Sequence, residues 1–130
     1  MSDPQNASPS APVSGADPAP PRAPRHTFSP AWAQTQLAGR RFATLLRHGS
    51  MELELYAPRG RDEQKPHSRD ELYFIVSGTG RFDNGGDVQP FGPGDALFVP
   101  AHRPHRFIEF SNDFATWVVF YGPEGGETNP

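Results

Sequence analysis

From Phe42 to Tyr121 the chain is a series of short apolar runs, each closed by glycine, proline, asparagine or aspartate. Met51, Leu53 and Leu55 alternate with Glu52 and Glu54, a period of two that gives a strand one dry face and one wet face. Phe42 to Arg47 reads as the strand before it, joined through a turn at His48-Gly49-Ser50, and Pro58-Arg59-Gly60 closes the pair. Asn84-Gly85-Gly86-Asp87 is a strong hairpin signal. Gly78-Thr79-Gly80 and Gly92-Pro93-Gly94-Asp95 mark further turns around Arg81-Phe82 and Ala96–Val99. His105–Phe110 and Phe114–Tyr121 complete eight or so short strands, the pattern of an all-β barrel or sandwich. Upstream, Ser29-Pro30 is a helix-start signal. It predicts a short helix to about residue 38, ended by Gly39, with Trp32 and Leu37 packing it onto the body.

Two strands, Leu72–Val76 and Trp117–Tyr121, are apolar without alternation, so both of their faces need cover. The helix supplies part of it and a second subunit the rest, which makes a homodimer the expected state.

Composition sets the limits of the folded unit. A chain of 130 residues suits one domain. Eight of its 16 prolines fall in residues 1–30, a segment whose only large aliphatic or aromatic residues are Val13 and Phe28. Such a stretch buries too little apolar surface to offset its ordering entropy. Residues 1–28 are therefore expected to be a disordered tail, residues 29–124 the folded domain, and residues 125–130 a flexible end. The absence of cysteine excludes disulfides, thiolate metal sites and a cysteine nucleophile. A net charge of −3 with scattered basic residues argues against nucleic acid, and no long unbroken apolar segment argues for a membrane span. The expectation is a cytoplasmic protein with a small-molecule partner.

The chemistry concentrates between Gln64 and Gly78. His67 and Glu71 stand four apart, which on one straight strand would separate them by about 13 Å, too far to share an ion. Ser68-Arg69-Asp70 between them is turn chemistry. With a reversal there, His67 ends one strand, Glu71 begins the next, and their side chains converge. Arg69 and Asp70 are then expected to be solvated turn residues. Downstream, Pro104 re-aims the chain, so that His105 opens a strand with the parity of Phe107 and Glu109. Tyr73 shares parity with Glu71 and Ile75, which turns its ring toward the cavity, either as packing of the barrel wall or with its hydroxyl orienting a ligand.

Two spaced motifs now stand out. His67, Glu71 and Gly78 fall on the second histidine, the glutamate and the glycine of the first motif of the cupin superfamily, and Gly94, Pro100 and His105 fall on their places in the second. Over roughly residues 40–121 the chain resembles the small single-domain bacterial cupins. The resemblance implies a double-stranded β-helix, a jelly-roll-like barrel, holding a divalent metal. Its usual four-ligand set of three histidines and a glutamate is incomplete here, because Lys65 stands at the first histidine position and lysine is a poor ligand. His67, Glu71 and His105 remain, with Gln64 or water completing the shell. Two histidines and a carboxylate suit Fe2+ or Mn2+ first, with Ni2+, Zn2+ and Co2+ as further divalent ions. The competing reading is a metal-free, hydrogen-bonded cluster. His102 replaces a usual glycine, a tolerable choice where φ is positive.

The function expected from this resemblance is a metal-dependent enzyme, dioxygenase- or isomerase-like, acting on a small molecule inside the barrel. Tyr73 and Gln64 are its candidate catalytic residues. The alternative is a non-catalytic cupin that binds or senses a small ligand, with or without metal. Fold alone does not choose a reaction.

Overall fold

The computed structural model describes residues 25–128. The expected tail, residues 1–28, lies outside them except for its last four residues, where Arg25 stacks on Trp32 and Phe28 packs against the same indole. Ser29 Oγ accepts from the Trp32 amide and Pro30 takes the first position of α1 (Pro30–Thr35). The helix stops three residues short of the expected end. The chain turns through Leu37, whose carbonyl accepts from the Arg40 amide, and Ala38 and Gly39 take positive φ.

Eight strands follow: β1 (Phe42–His48), β2 (Met51–Tyr56), β3 (Asp70–Ser77), β4 (Gly80–Asn84), β5 (Asp87–Phe91), β6 (Ala96–Val99), β7 (His105–Ile108) and β8 (Ala115–Tyr121). They form two antiparallel sheets, ordered β1-β2-β8-β3-β6 and β5-β4-β7. This is the all-β, single-domain barrel with a short N-terminal helix that the sequence predicts. Among the described residues no helix is long and apolar enough to cross a membrane.

Between the sheets lies an aromatic core of Phe82, Phe91, Phe107, Phe114 and Tyr73, with Phe107 at its centre. A second apolar cluster sits outside the larger sheet, where Ala33 and Leu37 of the helical strap cover Ala43, Leu55 and Ala115. Leu55 therefore points outward under the helix, and its alternating partners Glu52 and Glu54 point into the barrel. The dry face of β2 is outside and the wet face lines a cavity, which a barrel with an open mouth permits.

Gly78, the glycine of the first motif, is needed twice over. Its φ is +87°, and a Cβ there would lie 2.5 Å from the Phe114 backbone. The C-terminal residues run back across the first motif. Gly125 donates to the Ser68 carbonyl and Glu127 to Asp70 Oδ2, so the segment expected to be loose from residue 125 is hydrogen-bonded at least to Glu127.

Candidate metal centre

Strand parity brings Glu71 and His105 to one place. On β3, Glu71, Tyr73 and Ile75 face inward and are buried, and on β7 His105 and Phe107 do the same. Glu109 does not share this orientation, because β7 ends at Ile108 and Glu109 is exposed with φ +53°. His67 reaches the site from a different kind of support. The chain between Tyr56 and Asp70 contains no strand, so His67 does not end one as expected. Pro58, Gly60 and Pro66 interrupt ladder pairing there, and the His67 carbonyl is held instead by the His102 amide at 2.6 Å. His102 has φ +68°, the conformation anticipated at this glycine-like position, and its side chain is exposed.

The three side chains meet. His105 Nε2 lies 3.3 Å from Glu71 Oε1, and His67 Nε2 lies 4.0 Å from Glu71 Oε2. One ligand atom from each residue falls within 4.8 Å of the others. Two ligands about 2.1 Å from one ion lie at most roughly 4.2 Å apart. The separations of 3.3 Å and 4.0 Å, made to the two different oxygens of Glu71, both fall under that limit. His105 Nδ1 is 2.9 Å from the Arg103 carbonyl, which can only accept, so Nδ1 carries a proton and Nε2 is the nitrogen turned toward the site.

Both Glu71 oxygens and His105 Nε2 are buried without a hydrogen-bond partner. Native proteins rarely leave such atoms orphaned, at a cost of about 1–3 kcal/mol each. A divalent cation satisfies all three at once. Burial, reinforced by the Glu54 and Asp62 charges and opposed by the Tyr73 hydroxyl, pushes the Glu71 carboxyl up to about 8. Burial and the neighbouring His105 hold the His67 imidazole below its ordinary range. A cation beside them would reverse the first shift and use the neutral imidazole that the second favours.

Gln64 completes the group through a residue that sequence reasoning missed. Asp62 is buried, and its carboxylate accepts from the Tyr56 hydroxyl, the Gln64 amide, Gln64 Nε2 and the Phe107 amide. A carboxylate can only accept, so the amino group of Gln64 faces Asp62 and its oxygen faces the site. That oxygen lies 3.0 Å from the Tyr73 hydroxyl and 3.4 Å from His67 Nε2. The Tyr73 hydroxyl donates to Gln64 and lies near enough to Glu71 to favour its carboxylate, without forming a hydrogen bond of good geometry to it. Burial and the Glu71 charge hold the Tyr73 phenol well above its usual range. Lys65 is exposed and takes no part in the cluster.

Asp70 is a correction. It is buried rather than solvated, accepting from the Ala101 and Glu127 amides. Its partners lie 31 and 57 residues away, which no local pattern reveals. Arg69 is also engaged, lying 3.7 Å from Glu52 and over the Phe120 ring.

His67 and Gln64 open onto a cavity of about 790 Å³, walled by Glu52, Glu54, Tyr56, Val118 and Phe120 and rimmed by Arg40, Arg41 and Arg69. That is ample for a small molecule.

Fold and site together define a small single-barrel protein with a histidine–glutamate cluster that meets an open cavity at His67. Residues 52–121 match the Cupin domain family, and the chain belongs to it. An uncharacterized protein of Streptomyces coelicolor is 38% identical over 85 residues, covering 64% of this chain and 81% of the relative. A glucose-6-phosphate isomerase of Thermococcus kodakarensis is 26% identical over 88 residues, covering 64% of this chain and 46% of the isomerase. The chain thus spans about half the length of that enzyme. Among solved structures, KdgF from Halomonas sp. superposes with a TM-score of 0.56 at 17% identity, covering 64% of this chain and 78% of KdgF. At that identity the likeness is one of fold.

Proposed function

We propose that this protein is a metal-dependent cupin enzyme acting on a small molecule bound in the barrel mouth. The observation that carries the reading is the set of orphaned buried atoms, Glu71 Oε1 and Oε2 and His105 Nε2, pointing at one another beside His67. His67, Glu71 and His105 would hold the ion, with Gln64 Oε1 as fourth ligand. This mixed nitrogen and oxygen set suits Fe2+ or Mn2+. When bound, the metal supplies Lewis-acid polarisation of substrate oxygens or, as iron, redox chemistry with dioxygen. Isomerase-like chemistry has support from the Thermococcus relative's name, and dioxygenase-like chemistry from the two-histidine, one-carboxylate set.

The chain's own residues have definite parts to play. Tyr73 stays protonated and holds its hydroxyl beside the cluster, where it fixes the Gln64 oxygen that faces the ion site. Gln64, fixed by Asp62, presents one oxygen without rotating. Val118 and Phe120 exclude water from the side of the cavity between β2 and β3.

The test is metal content of protein purified without a metal-affinity tag, followed by turnover and oxygen uptake on a small-molecule panel. Near-stoichiometric iron or manganese, lost in His67→Ala and His105→Ala, is the expected result. The second reading, a metal-free ligand-binding cupin, rests on Lys65 standing outside the cluster. Metal-free protein whose melting temperature ignores added Fe2+ and Mn2+ decides for it, since a ligand of the native state must stabilise that state.

We further propose a homodimer through the outer face of the larger sheet, where Phe74 and Phe98 are 42% and 48% exposed on adjoining strands. Light scattering should give a dimer mass, lost in Phe98→Glu. The cytoplasm is the compartment this reading expects, and cell fractionation tests it.

A further inference from the structure

Of the carboxylates lining the cavity, exposed Glu124 and half-buried Glu54 have no ion pair among the described residues, and the other charges are matched. Glu52 has Arg47 at 3.1 Å and Arg69 at 3.7 Å. Glu63 is held by Arg41 at 2.9 Å and by Arg61. Arg40 turns to the carbonyls of Gln36 and Leu37. Glu54 lies between these groups and forms no ion pair among the described residues. Its one polar partner is the Thr44 hydroxyl, at 3.4 Å. Burial and the Glu52 charge raise its pKa, while Thr44 and the more distant Arg47 only partly offset them. A half-buried carboxylate in a walled cavity with no cation is an incomplete arrangement.

Register places this carboxylate relative to the metal cluster. Across β8, Glu54 pairs with Val118, and Val118 pairs with Tyr73 of β3. One row along, Glu52 pairs with Phe120, and Phe120 with Glu71. Glu54 and Glu71 thus stand on one sheet, two strands apart, with Val118 and Phe120 of β8 between them, and His67 is the member of the cluster that lines the same cavity as Glu54. Adjacent strands stand about 4.8 Å apart, so the β2 and β3 backbones are roughly 10 Å apart. Less a hydrogen-bond length at one end and a metal–ligand length at the other, that lateral spacing suits a chain of roughly three to five carbon atoms lying across β8.

We propose that the cavity takes a two-ended molecule, with an oxygen-donor head such as a carboxylate at the His67/Glu71/His105 cluster and a cationic amine at Glu54, joined by a short apolar spacer lying on Val118 and Phe120. The metal end rests on the function proposed above. The amine end rests on Glu54 alone. Glu54 is then the residue that selects for positive charge, and an uncharged analogue of the same length binds less well.

The experiment uses the full chain loaded with Mn2+, whose affinity is measured first by paramagnetic resonance. Calorimetry then compares 4-aminobutanoate, 5-aminopentanoate and 6-aminohexanoate with butanoate, pentanoate and hexanoate. At least one amino acid should bind about tenfold more tightly than its partner lacking the amine, a difference of ~1.4 kcal/mol. In Glu54→Gln that preference should shrink to about twofold, while Mn2+ affinity moves by less than about threefold. If Mn2+ binds and no amino acid outbinds its partner in the wild-type protein, the proposal is wrong, whatever the variant does. A preference that survives in Glu54→Gln overturns it equally. Failure of Mn2+ to bind overturns the metal reading and the two-ended site with it, in a titration that does not depend on Glu54.

Discussion

Along β3 the inward residues are Glu71, Tyr73 and Ile75, and along β7 they are His105 and Phe107. Each strand begins polar at the mouth and ends apolar at the closed end. At the closed end Phe107 has the rings of Phe82, Phe114 and Tyr73 at 4.6, 4.7 and 4.9 Å, a dense aromatic fill. At the mouth, His105, two positions back on the same strand, and Glu71 at the start of β3 carry three polar atoms that lack any partner. One end contributes stability and the other subtracts from it. Tyr73 divides the two, its ring packed on Phe107 and its hydroxyl bonded to Gln64. Sites of chemistry commonly carry such a cost, and here it is confined to one end of a barrel that the other end secures.

The sharpest way to break this division is at Phe107. Phe107→Ala should destabilise the metal-free protein by about 3–5 kcal/mol, read as a large fall in the denaturant midpoint. Next comes His105→Ala, which should cost more than ~100-fold in Fe2+ or Mn2+ affinity by calorimetry. Its effect on the metal-free fold should be smaller than that of Phe107→Ala. Equal stability losses in both variants would mean that the two ends are not separate.

The third prediction uses pH. Glu71 holds its proton up to about 8 in the folded chain, against an ordinary value of 4.5. The native state therefore binds more protons than the unfolded chain across that window, and stability falls as pH rises through it. His67 is lowered and acts in the opposite sense, but only below its ordinary 6.5, so pH 7 to 8 isolates Glu71. Metal-free protein should lose about 1 kcal/mol over that unit, and Glu71→Gln should flatten the slope. Metal binding must expel the same proton, so affinity should rise over the same unit, with proton release seen as a buffer-dependent heat. The smallest effect is expected at Lys65. Lys65→Ala should change stability by less than about 0.5 kcal/mol and leave metal affinity alone, because the side chain is exposed and outside the cluster.

The barrel and the meeting of His67, Glu71 and His105 were legible because strand parity and turn residues are local signals. Glu71 and Tyr73 share a face by spacing alone, and Pro104 marks where β7 begins. The support of His67 was not legible. It hangs on a backbone bond from His102 and a strand-free segment, and no periodicity records either. Asp62 was invisible for a related reason, since an aspartate after Gly60-Arg61 looks like an ordinary turn residue until the Phe107 amide, 45 residues away, is found bonded to it. The β2 alternation was read correctly as dry and wet, but water lies inside this barrel's mouth and the helix covers the outside. A period of two cannot say which side is which.

Asp62 also has a consequence for exchange with solvent. Two backbone amides, Gln64 at the mouth and Phe107 at the edge of the aromatic fill, end on the same carboxylate. When that carboxylate lets go, both lose protection together, although they belong to separate segments and one of them sits in a ladder. Deuterium uptake at the two should therefore run at a common rate. It should also run faster than uptake in β8, whose ladder bonds on both sides, to β2 and β3, do not involve Asp62. The segment between β2 and β3 can then open locally while the ladders of β8 hold, without global unfolding.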